Sequence, residues 1–261
     1  MAAHKLLGND NRAYGNNPLL LKREGQPSYG WSDTVSVIGA TMVPSTARLS
    51  ISRLILVPAL VTLAVTLLRL VGELNRWSSV LFNREAGGPG AVVGIVWLVP
   101  VFGIYFAFRL VHAGHGPKSR GRAIACGFAA LVVLVGLYAA ILKLALPILT
   151  TVVLINVAAV AAATVAYWGW PQLGRIEVVY GLAARLPVAL VMLVAMLAGW
   201  GTHYELGPPG LPQMGLLTKW MTIGLLPQLV FWIAFTVLFG SLFGSLALMF
   251  RRSPGSFLDS I

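Results

Sequence analysis

The chain has 261 residues, of which 57% are hydrophobic and only 10% charged, and its net charge is +11. A water-soluble domain carries about 25% charged residues, so this composition excludes one and makes lipid the solvent for much of the surface. The basic residues fall in clusters between apolar runs rather than along one continuous face, which argues against nucleic acid as the partner.

In chain order, residues 1–50 are polar, irregular and rich in Asn and Gly, and they read as a cytoplasmic tail. Within that tail Trp31, Val35, Ile38 and Met42 recur at helical spacing. Residues 31–43 are therefore either a helix lying in the membrane interface or a β-prone linker. The first apolar run begins near residue 51, too late for a signal peptide, so the first helix is expected to act as its own insertion signal.

A membrane-spanning helix needs roughly 20 apolar residues at about 1.5 Å each. By that measure six spans are expected over 52–72, 91–111, 123–143, 147–168, 186–203 and 226–250. The third and fourth form a tight hairpin, since only Lys143 and Pro147 punctuate the run from Arg122 to Trp170. Pro100 is expected to kink the second span. Arg175, Glu177 and Arg185 are placed in a loop before the fifth span, which is read as starting near Pro187. The uncharged stretch Trp220–Phe250 is too long for one upright helix, so Pro227 is expected to divide an interfacial start from the true span. Residues 253–261 are a short C-terminal tail.

The loop charges set an orientation. Lys5, Arg12, Lys22, Arg23, Arg48, Arg53, Arg109, Lys118, Arg120, Arg122, Arg175, Arg185, Arg251 and Arg252 fall on one side. Arg69, Arg76, Arg84, Lys143 and Lys219 fall on the other. Fourteen against five places both termini in the cytoplasm by the positive-inside rule. The expected location is the plasma (inner) membrane of a bacterium.

Candidate chemistry is sparse. Arg69 and Glu73 lie four apart near the outer end of the first span, as a coupled pair on a substrate path or as a neutralising interfacial pair. Asn156 and Gln228 sit within apolar runs, where amides either line a pathway or hydrogen-bond between helices. His203 and Glu205 read as surface residues beyond the fifth span. His112 and His115 have chelating spacing but no third ligand nearby, and His203 is expected on the opposite side, so neither a metal nor a haem is expected. Gly114-His115-Gly116-Pro117-Lys118-Ser119 lacks the glycine before the lysine that a phosphate loop needs. Gly90 and Gly94, and Gly240 and Gly244, have small-xxx-small spacing and read as faces for close helix packing, within the chain or against a second copy. The lone Cys126 permits no internal disulfide.

The chain thus reads as an all-α, polytopic integral membrane protein with a bundle of about six transmembrane helices. No catalytic signature is present, and no cofactor is expected. The leading expectation is a non-enzymatic accessory or scaffold protein whose partners are the bilayer and another membrane protein or itself. A small-solute carrier is the alternative, and an intramembrane enzyme acting on lipid the third.

Overall fold

The structure, a computed structural model, describes residues 50–87 and 91–250. Segment 31–43, Gly90 and both chain ends lie outside the described residues. Within them the protein is all-helical, with five helices long and apolar enough to cross a membrane and a shorter apolar one. These are α1 (Ile51–Leu74), α2 (Leu98–His112), α3 (Arg120–Lys143), α4 (Ile148–Gly169), α5 (Pro171–Ala198) and α6 (Leu216–Phe250).

α6 is the axis of the bundle and packs against α2, α3, α4 and α5, while α1 packs chiefly on α5. Small residues allow this. A Cβ on Gly103 of α2 would collide with the backbone of Gly240, and one on Gly244 would press on the Gly103 carbonyl and Ala107. With no side chain between them the two backbones touch, and dispersion replaces the hydrophobic drive that lipid cannot supply. On the other side, Ala159 and Ala163 of α4 meet Ala234 and Val237 of α6. Ala130 of α3 joins Ala162, Ala166 and Leu238.

Three expectations are corrected. The fifth helix starts at Pro171, so Arg175, Glu177 and Arg185 are helical rather than in a loop. Proline suits the first turn because its missing N–H has no partner there anyway. Leu173, Ile176, Tyr180, Ala184 and Val188 then continue one buried stripe straight past Arg185. Pro187 sits inside this helix rather than at its start.

Residues 91–97 are not helical, and α2 begins at Leu98. Pro100 therefore lies in a first turn and does not kink a span. Gly94 belongs to the preceding loop, where a Cβ would stand 3.4 Å from a guanidinium nitrogen of Arg69, so it is no helix-packing glycine.

Pro227, finally, does not divide α6. The helix is continuous, and the turns on both sides of the proline widen to i→i+5 hydrogen bonding. A wide turn accommodates a residue that has no N–H to give.

α4 and α5 are joined through one residue, Trp170. Its side chain is buried, and its indole N–H donates to the His115 carbonyl at 3.1 Å. His112, His115 and Arg120 thus share one end of the bundle with this junction, and Arg120 donates to the Leu248 carbonyl there. The opposite end is covered by the loop after α1 and the loop after α5. Phe82 lies over Gly72, and Arg84 donates to the Gly201 carbonyl.

Candidate functional site

At the covered end the helices present a buried ionic cluster. Arg69 and Glu73 are one turn apart on α1, and the arginine Nε donates to Glu73 Oε1 at 2.9 Å. Glu73 is fully buried, and its Oε2 accepts the backbone N–H of His203 at 3.0 Å. The His203 Nδ1 stands 2.5 Å from Oε1, within ion-pair reach though off the line of a hydrogen bond. Arg69 also donates to the Asn83 carbonyl, so the carboxylate and the arginine together tie α1 to both covering loops.

The loop holding His203 is locally determined. Thr202 caps a single 3-10 turn, His203–Glu205, and Glu205 reaches back to the Thr202 N–H at 2.7 Å in a capping box. Tyr204 is buried, and its hydroxyl donates to the Thr66 carbonyl at 3.1 Å. His203 and Glu205, read as surface residues from the sequence, are thus a half-buried partner of Glu73 and a cap. Sequence distance hid this, since 130 residues separate His203 from Glu73.

Burial disfavours the charged imidazole of His203 and pulls its pKa below the ordinary 6.5, a trend that Arg69 reinforces and Glu73 opposes. Burial likewise raises the Tyr204 phenol. A base whose pKa falls on folding binds more protons when unfolded. The contribution of His203 to stability is therefore intact above about pH 6.5 and is lost as the pH drops below it. The thermal midpoint in detergent is expected to be flat from pH 8 to 7 and to fall towards pH 5. His203→Gln is expected to remove part of that fall. An unchanged slope in the variant would show that the cluster titrates elsewhere.

Below the cluster lies a partly open cavity of about 850 Å³. Arg69, His203 and Tyr204 border it, and Arg185, Met192, Gln228 and Trp232 line it farther along the helices. Arg185 is the fifteenth of the 28 residues of α5, which puts it about 20 Å from either end. It is only 3% exposed, and its guanidinium carbon sits 4.7 Å from the centre of the Trp232 ring. Gln228 lies in the widened stretch of α6 and donates to Met192 Sδ at 3.6 Å, while its buried Oε1 has no hydrogen-bond partner among the described residues.

Asn156 is elsewhere. It donates to the Val152 carbonyl of its own helix, and its Oδ1 likewise has no partner among the described residues. The cavity therefore brings together Arg69 and Gln228 but leaves Asn156 apart. His112 lies at the far end, with Nδ1 3.0 Å from the Phe108 carbonyl of its own helix.

Two buried charges on α5, Arg185 and Glu177, read as loop residues in the sequence. Glu177 is fully buried and accepts the Ser241 hydroxyl at 2.7 Å. Its other oxygen has no partner among the described residues and lies where a Cβ on Gly240 would be. The available signal was the absence of any turn cluster between Pro171 and Ala198, combined with an apolar stripe running through both charges.

No family model matches this chain, and no curated protein and no solved structure matches it either.

Proposed function

We propose that this membrane protein binds a small, largely apolar solute in the interior cavity and carries it across the bilayer. The observation that carries this reading is the cavity itself. Its volume falls within the roughly 300–1,000 Å³ typical of small-molecule sites. Its wall mixes apolar side chains with a few polar groups, and one side is the proline-widened stretch of α6. Irregular helix at membrane depth is tolerated where it lines such a cavity. The accessory-protein reading draws on small-residue faces and on the lack of a catalytic set, and Gly240 and Gly244 turn theirs to α2 and α5 of the same chain.

The covered end faces outward in this reading, and both termini are cytoplasmic in a bacterial inner membrane. The loop-charge bias supports that orientation. It stands at thirteen against five once Arg185, at the middle of α5, is left out of the count.

The test is thiol accessibility in oriented vesicles. In a Cys126→Ala background, Gln228→Cys is expected to react with a membrane-impermeant reagent from the outer face. In a fraction of molecules that have switched access, it is expected to react from the inner face too. Val132→Cys, on the lipid side of α3, is the unreactive control. Labelling from one face only would leave a binding pocket without transport, and no labelling from either face would end the proposal.

A further inference from the structure

The chemical class of the solute follows from Arg185, on the premise that the cavity is a solute site. A guanidinium at mid-span is costly in hydrocarbon and is normally matched by a counter-charge. The described residues contain four acids, and none serves. Glu73 is held by Arg69 and the His203 N–H. Glu205 closes its own capping box. Glu85 is exposed in the covering loop. Glu177 precedes Arg185 by eight residues on the same helix, about 12 Å along the axis, and receives Ser241.

Trp232 does face Arg185, its ring centre 4.7 Å from the guanidinium carbon, but a cation–π contact supplies no hydrogen-bond acceptor for the N–H edge. That edge is a planar fork suited to two oxygens of one acidic group. Arg185 lines the cavity, and no hydrogen-bond acceptor among the described residues takes its N–H groups. Around it the wall is apolar, with Val188, Ile223, Phe235 and Phe239.

We propose that Arg185 is the anion anchor of this cavity and that the solute is a monoanionic amphiphile: one acidic head group, carboxylate-like in its paired oxygens, on an apolar body. The head group lies against the guanidinium edge, with the Gln228 amide nearby, and the body lies against the apolar wall. A membrane-derived fatty acid and a water-soluble aromatic acid share this chemistry.

The experiment measures equilibrium binding of three probes to the full chain in discs of zwitterionic lipid. The probes are radiolabelled palmitate, hexadecanol as its uncharged counterpart, and 2-naphthoate. An acid is expected to bind at least tenfold more tightly than hexadecanol. Palmitate binding would identify a lipid source and naphthoate binding a soluble one, and either supports the proposal. Arg185→Gln is expected to abolish the preference for the acid while hexadecanol still binds, and Arg185→Lys to keep part of it. The acid-to-alcohol comparison on the unaltered protein does not depend on whether a variant folds. Equal binding of acid and alcohol would overturn the anion anchor and leave the apolar cavity standing. Binding of none of the three would remove both.

Discussion

Glu73→Ala is expected to destabilise the protein by about 3–5 kcal/mol, the range for removing one partner of a buried ion pair. The cost is not the loss of a single contact. The carboxylate accepts from the Arg69 side chain and from the His203 backbone, and it adjoins the His203 ring. Without it a buried cation and a backbone N–H face each other with no acceptor between them. The hold of the loop after α5 on α1 should then loosen, because the Glu73–His203 bond is lost and the Tyr204–Thr66 bond is left to keep the loop in place. Glu73→Gln keeps one carbonyl acceptor but turns an N–H2 group towards Arg69 or His203, so it should recover only part of the loss. Chemical denaturation in mild detergent measures this, with limited proteolysis of the loop around Arg84 as the local readout. A Glu73→Ala protein as stable and as protease-resistant as the parent would show that the cluster holds nothing together.

Gly103→Val should cost about 3 kcal/mol, at the upper end of overpacking effects. A Cβ at this position meets backbone, the Cα and carbonyl of Gly240, so no side chain can rotate out of the way. α2 would have to withdraw from α6, and the contacts of Gly244 with the Gly103 carbonyl and Ala107 would open with it. Gly136→Val on α3 is the matched control, since none of the described residues lies within 4 Å of its Cβ position. Equal melting temperatures for the two variants would contradict the close crossing.

The helices themselves were legible because apolar run length is a nearly sufficient signal in lipid. α1, α3 and α4 are bounded by polar or turn residues close to where the apolar runs stop. The error at α5 has a physical origin. Charge in a sequence reads as a mark of solvent, whereas Glu177 and Arg185 are buried and contribute to a stripe that only helical periodicity reveals. The same assumption made His203 a surface residue. Pro100 and Pro227 were both read as disruptions, although one opens a helix and the other is absorbed by a wider turn. The cavity was out of reach for a different reason. It is formed by residues from Thr66 to Phe239, and no local pattern encodes the gap between helices.

The one-residue link at Trp170 has a mechanical consequence. Two peptide bonds hold the Cα atoms of Gly169 and Pro171 within about 7 Å of each other. A tilt of α4 therefore drags the foot of α5 with it, and the lever arm of α5 carries Glu177 and Arg185. The indole pinned to the His115 carbonyl fixes the pivot to the loop between α2 and α3. Whatever rocks this pair swings the buried arginine, and α1, packed on α5 and hydrogen-bonded to it between Thr62 and Tyr180, has to follow.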